Sequence, residues 1–435
     1  MNYSSCNFLL TSLAGLLLGI VSLEGAELPP ASELPPVSEL PVQEELPDPF
    51  VSFEGKKIST KDDWYNIRRP ELIQLFTHYM YGYMPENVQV KFTEDAAPTE
   101  VLGGKAILKQ VAISFPELKS ENAPQIHLAL FLPNQPGKKF PVFLAVNKCG
   151  NQTVIPDEAI LTFPTENLHD YCTKPENSAR GSKEDYWCLD YLIERGYGFA
   201  TYHVNNVDPD TNEFNDGVHP HFENIKGPVE SRWGTISAWA WGLQRCVDYL
   251  LTDEQVHPEC IAVTGHSRRG KTALWAAATD ERIALCVPHQ SGTGGMALSR
   301  NNDQETVKRI NDHFPHWFND TFTQFNDNES RIPFDQHLLM SLVAPRPLLE
   351  TSGLKDTWAN YNSSINGIRE ADAVYKFLGA PGIQGDPVHN GGAITAENCG
   401  NLAQYRLDTR HVLVLDYWKG ILDFADLQFG SKLVR

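Results

Sequence analysis

The chain has 435 residues, 41% of them hydrophobic, ample for the core of one domain of roughly 380 residues with long insertions. Against 36 Lys and Arg stand 55 Asp and Glu, a formal net charge of −19. Such a balance excludes electrostatic binding of nucleic acid, which needs clustered cations, and its plainer consequence is solubility.

Residues 8–23 are an apolar run of signal-peptide length, with Ala26 placed for cleavage. The preceding MNYSSC carries no Lys or Arg, and Glu24 sits near the cleavage site. The run is short for a membrane anchor of about 20 residues. Residues 1–26 are therefore expected to be an export signal, with no membrane attachment after cleavage and a secreted or periplasmic address. Residues 27–49 begin ELPPASELPPVSELPVQEELPD, an acidic imperfect repeat. Its proline density forbids helix and favours extended structure, so a solvated spacer is expected.

One folded domain is expected over residues 50–435. DDWYNIRRPELIQLFTHYMYGYMP reads as an amphipathic helix with Pro70 in its first turn. KAILKQVAISF, IHLALFLP and FPVFLAVN read as strands, the last two joined by the turn NQPGKK. YGFATYHV is a further strand, and WGTISAWAWGLQRCVDYLLTD is a helix. IAVTG, IALCVPHQSG and RPLLETSG are buried strands, and LDYWKGILDFADLQFG is the closing helix. Strands alternating with helices predict an α/β fold: a mostly parallel sheet with helices on both faces. Active sites in such sheets lie at the carboxyl ends of the strands.

IAVTGHSRRGKTALWAAA puts Ser267 between a strand and a helix. There the hydroxyl is lifted from the sheet, and the helix N-terminus can stabilise an oxyanion. The pattern departs from G-x-S-x-G: Gly265 is in place, but Arg269 occupies the last position and Gly270 follows one residue late. Asp356 follows the strand RPLLETSG, and His411 lies just ahead of the closing helix. The order Ser267, Asp356, His411 is that of α/β-hydrolases. Of the 14 histidines, His266, His289, His316 and His337 are the rivals. They lie before the acid, and the His266 side chain is expected to point away from Ser267. Serine needs a base to take its proton, histidine can take and return one near neutrality, and Asp fixes the tautomer. Arg268 would add a fixed positive charge beside the oxyanion. Its other reading is an ion pair with a nearby carboxylate.

There are eight cysteines; Cys6 would leave with the signal, and the others show no CxxC spacing. No zinc site is suggested, no cofactor is expected, and one or two disulfides fit an exported protein without the pairing being legible.

With these residues in place, the chain resembles the glucuronoyl esterases, carbohydrate esterases of the α/β-hydrolase fold, over about residues 64–429. GHSRRGK is similar to the family's G-[CH]-S-R-x-G-K, and SGTGGMALSR carries a paired-Gly motif. SGLKDTW, FPHWF, GYGFATYHVNNVDPD and HVLVLDYWKGILDFADLQF add support. The resemblance implies hydrolysis of esters between glucuronoxylan's glucuronic acid groups and lignin alcohols. It makes Ser267 the nucleophile, His411 the base and Arg268 an oxyanion donor. It assigns Lys271, Glu305 and Trp358 to the uronic acid ring, with Trp317 read as core. Some members carry the triad acid as Glu where this chain has Gln290, which cannot ionise, so Asp356 must serve. The expected partner is a glucuronoxylan or lignin–carbohydrate ester, and the chain is expected to act as a monomer. An acetylxylan-type esterase and a non-catalytic carbohydrate-binding relative are the alternatives.

Overall fold

The computed structural model describes residues 34–120, 122–222 and 228–433. The expected export signal and residues 27–33 lie outside these. Ten strands form one sheet: β1 (Lys91–Val101), β2 (Ala106–Ser114), β3 (Ile126–Pro133), β4 (Phe140–Asn147), β5 (Gly198–His203), β6 (Val256–His266), β7 (Leu285–His289), β8 (Leu348–Gly353), β9 (Val388–His389) and β10 (Leu402–Leu407). Their order is β1-β2-β3-β5-β4-β6-β7-β8-β10-β9. The pairings β1/β2, β2/β3 and β3/β5 are antiparallel, and the others are parallel.

Side chains alternate across the sheet with the period of a strand. In β4, Val142, Leu144 and Val146 enter one core, while Phe143 and Ala145 enter the other. The first core is covered by α1 (Arg69–Phe76), α2 (Thr235–Leu250), α3 (Arg268–Thr279), α4 (Gln336–Val343) and α5 (Tyr361–Phe377), the second largely by α6 (Leu415–Leu433). Both faces of the central strands are thus buried, which is why they read as continuous apolar runs.

Two expectations change here. Pro70 does lie in the first turn of α1, but helical chain already precedes it as a wide turn over Trp64–Arg68. The Pro-rich segment is not a free spacer from residue 34 onward. Val37 and Leu40 are 4% and 1% exposed, packed in the first core. Tyr79 Oη donates to the Pro35 carbonyl at 2.6 Å, and Gln43 N–H donates to the Ser330 carbonyl at 2.7 Å. Apolar side chains between the prolines find a hydrophobic surface, and burial of that kind outweighs the preference for solvent.

None of the described helices is long and apolar enough to cross a membrane. Among the described cysteines, Cys149 and Cys172 form a disulfide. It closes the loop after β4.

Candidate active site

Ser267 caps α3 with φ 62° and ψ −129°, a left-handed strain held by tight packing around the elbow. A Cβ on Gly265 would lie 2.2 Å from the Arg269 carbonyl oxygen, and one on Gly270 would lie 2.8 Å from the Gly265 carbonyl oxygen. Strand and helix therefore cross at backbone contact, and glycine is required at 265 and 270 rather than at 269. The motif's displaced second glycine has this physical reason. Ser267 N–H donates to the His289 carbonyl at 2.8 Å, pinning the elbow to β7. The N–H of Arg268, the next residue, opens the helix, where the first donors have no intrahelical acceptor.

A cavity of about 500 Å³ lies over the elbow, lined in part by Lys148, Tyr171, His266, Ser267, Arg268 and His411. His411 Nδ1 lies 2.6 Å from Asp356 Oδ2. Asp356 is buried, while 42% of the His411 side chain is exposed. Asp356 stands just past β8 and His411 ahead of α6, so the pair forms at the carboxyl edge of the sheet.

The structure places His266 differently from the expectation. Its ring lies 4.2 Å from that of His411 and 4.7 Å from that of His289, and it lines the cavity. The strained elbow turns Ser267 out of the strand's alternation, so its neighbour is not carried to the opposite side. His266 Nε2 meets Gln290 Oε1 at 2.9 Å, and Gln290 Nε2 donates to the Arg410 carbonyl at 2.8 Å. Burial holds the His266 pKa well below its usual value, with the His289 and His411 charges acting the same way. Gln290 thus anchors the loop before His411. His316 and His337 meet Asp210 and the Pro47 carbonyl instead.

The Arg268 guanidinium sits beside the stacked rings of Trp317 and Phe314, at 4.2 and 4.6 Å from their centroids, and its Nη1 donates to Asp210 Oδ2 at 2.6 Å. Asp210 Oδ1 takes bonds from His316 Nε2 and Trp317 Nε1, both at 3.1 Å. Burial would raise the Asp210 pKa, but these bonds and the Arg268 charge outweigh it and hold the carboxyl far below its usual range. A carboxylate so held fixes the guanidinium at the cavity wall. Trp317 is buried, yet it supports the site rather than only the core.

Lys271, Glu305 and Trp358 form one bonded cluster. Lys271 is 2% exposed, and its Nζ donates to the carbonyls of Ser291 and Thr293 and to Glu305 Oε2. Burial lowers its pKa, and Glu305 opposes this. Glu305 Oε2 also accepts the Thr293 N–H at 2.8 Å, and its Oε1 accepts Trp358 Nε1–H at 2.8 Å. Three acceptors use all three Lys271 donors. Trp358 leaves 41% of its surface open.

Sequence reasoning passed over Asp210, Phe314, Lys148 and His169. The first two lie in NNVDPD and FPHWF, which entered only as motifs of the resemblance, with neither Asp210 nor Phe314 given a role. Among the described residues, no group of three or more His, Cys, Asp or Glu is placed to hold a metal.

A family model described as glucuronyl esterase, fungi, matches residues 183–379. A carbohydrate esterase named MZ0003, from an unknown prokaryotic organism, is 39% identical over 87% of this chain and 88% of its own. A 4-O-methyl-glucuronoyl methylesterase of Schizophyllum commune is 28% identical over 77% of this chain and 74% of its own. Among solved structures, a promiscuous CE15 esterase from a marine bacterial metagenome is 37% identical, with a TM-score of 0.80 over 90% of this chain and 98% of its own. A glucuronoyl esterase from Solibacter usitatus is 29% identical, with a TM-score of 0.78 over 90% and 100%.

Proposed function

Because the chain belongs to the glucuronoyl esterases of carbohydrate esterase family 15, carboxylic ester hydrolases of the α/β-hydrolase fold, we propose that Ser267, His411 and Asp356 perform the hydrolysis of glucuronic acid esters here. The observation that carries this is the 2.6 Å contact between His411 and Asp356 in the cavity that Ser267 lines. Asp356 keeps the His411 proton on Nδ1, leaving Nε2 as the base for the Ser267 hydroxyl. The hydroxyl attacks the ester carbon, and the alcohol leaves with the proton from His411. Water then opens the acyl-enzyme by the same route. The oxyanion forms beside the Arg268 N–H and guanidinium.

The uronic ring rests on the half-exposed Trp358 side chain, with its hydroxyls toward Glu305 Oε1, which has spare acceptor capacity. Lys271 acts through Glu305: its donors are spent on the cluster, so it positions the carboxylate rather than touching the sugar. The natural ester is the lignin–glucuronoxylan cross-link, on a chain exported by its first 26 residues and acting as a monomer.

The test is an ester panel of methyl glucuronate, methyl galacturonate and acetylated xylan, run beside Ser267→Ala. Methyl glucuronate should be turned over best, and the variant should be inactive on it. Turnover of acetylated xylan alone would make the protein an acetylxylan-type esterase; binding of glucuronoxylan with no turnover of any ester would make it a non-catalytic relative.

A further inference from the structure

Lys148 follows β4 directly and enters the cavity beside the elbow. The ester mechanism gives it no task. The charged groups lining the same cavity are mostly cationic: Lys183, Arg268 and Arg269 stand against Asp185, with Asp210 paired to Arg268 behind them. In a chain with a net charge of −19, that concentration of positive charge is local and built.

The contacts around Lys148 pull its protonation both ways: the Tyr171 ring, 5.2 Å from Nζ, favours the ammonium, and the hydrogen bonds favour the amine. His169 Nδ1 accepts the Tyr171 backbone N–H at 3.0 Å, so this ring nitrogen carries no hydrogen. A neutral imidazole then holds its hydrogen on Nε2. Nε2 lies 3.3 Å from Lys148 Nζ and 3.9 Å from Asp210 Oδ2. Asp210 is beyond hydrogen-bond range, so Nε2–H donates to Lys148. Only an unprotonated amine has the lone pair to accept it. Burial is the first cause pushing the Lys148 pKa down to about 7; Arg269 and Arg268 act the same way, and Asp210 opposes them. The Cys149–Cys172 disulfide fixes the loop that carries His169 and Tyr171 against the residue following Lys148.

We propose that Lys148 is an anion-binding residue of the esterase cavity, a free amine in the empty enzyme that takes up a proton when the uronate carboxylate forms there. The idea rests on the ester hydrolysis proposed above. Deacylation yields the uronic acid. Its O–H bond breaks as an N–H bond forms on Lys148, and an ammonium–carboxylate pair results with no other reactant. The pair dissolves when the ammonium returns its proton to solvent and the uronate leaves. The groups around Lys148 are His169 and Tyr171 of the disulfide loop, Asp210 after β5, Arg268 and Arg269 at the start of α3, Lys183 at the same Tyr171 ring, and Asp185 and His411 in the cavity lining. An arriving carboxylate offsets the Arg268 and Arg269 charges, which add to burial in keeping Lys148 neutral.

The test uses full-length enzyme with isotope-labelled lysine, titrated by NMR. One lysine signal should titrate near neutrality, vanish in Lys148→Arg, and move to a higher midpoint when glucuronate is added. Calorimetry of glucuronate binding at about pH 8, in buffers of different ionisation enthalpy, should show uptake of about one proton, and none in Lys148→Met. Affinity for glucuronate should fall by up to roughly tenfold per pH unit above neutrality in the wild type. If every lysine signal titrates in the ordinary range, or glucuronate binds without proton uptake, the proposal is overturned. The titration of the free enzyme needs no ester turnover, so its outcome stands apart from that of the ester panel.

Discussion

Arg268 can act on the oxyanion only while Asp210 holds it, and Asp210→Asn tests this at a distance from the reacting atoms. The carboxylate is 2% exposed and takes three donors: Arg268 at 2.6 Å, and His316 and Trp317 at 3.1 Å. Asparagine keeps one acceptor oxygen but turns an NH₂ toward one side of this ring of donors. Removing one partner of a buried ion pair costs about 3–5 kcal/mol of stability, and less here, about 2 kcal/mol, because Arg268 borders an open cavity and can regain water. The guanidinium keeps its charge but loses its aim. Losing one oxyanion donor costs about 10²–10³ in turnover, so kcat should fall about 10²-fold, near 2.7 kcal/mol of barrier. The assay is methyl glucuronate hydrolysis by Asp210→Asn, Arg268→Ala and the double variant, each checked for folding by its melting temperature. KM should move less than kcat. The double variant should be no slower than Arg268→Ala alone, because the two changes remove one interaction. A folded Asp210→Asn with wild-type kcat, or a double variant whose losses simply multiply, would refute the reasoning.

Asp356→Asn should lower kcat by on the order of 10³-fold or more, since the tautomer of His411 is lost; a pH–rate profile on methyl glucuronate checks it. Gln290→Ala should cost less in kcat but about 1–3 kcal/mol in denaturant stability, because the buried His266 nitrogen and the Arg410 carbonyl lose their partner. Burial, opposed by the Gln404 donor, raises the Glu350 pKa from 4.5 to about 7. Its contribution to stability is therefore present in full below its unfolded value and is lost as pH rises through 7, by about 3 kcal/mol; Glu350→Gln should flatten that slope in urea melts across this range. Replacing Cys149 and Cys172 by serine opens a loop spanning 23 residues, and the midpoint of chemical unfolding should fall by the equivalent of about 3 kcal/mol.

Legibility in the sequence followed burial. β3 and β4 coincide with the apolar runs IHLALFLP and FPVFLAVN because both of their faces are covered. β1 went unread: Lys91–Val101 is an antiparallel edge strand, largely exposed and rich in charged and polar residues, so no hydrophobic pattern marks it. β10 has Gln404 and Arg406 among its six residues, and Gln404 is buried against Glu350, a pairing between strands that no local pattern announces. In the site, chain order together with placement after a buried strand and ahead of the closing helix brought Asp356 and His411 forward, and the structure sets them in contact. The environment of Arg268 was legible only as an alternative, because its partner lies 58 residues upstream in a turn. His266 was misjudged because strand alternation was carried into an elbow whose backbone breaks it. The spent donors of Lys271 depend on the carbonyls of Ser291 and Thr293, which a motif cannot reveal.

The most direct measurement is rapid-quench mass spectrometry of the enzyme mixed with methyl glucuronate. A covalent glucuronoyl group should accumulate on the peptide containing Ser267 and disappear as substrate is consumed. Undiminished turnover by Ser267→Ala, or an acyl group carried on any other side chain, would contradict the account.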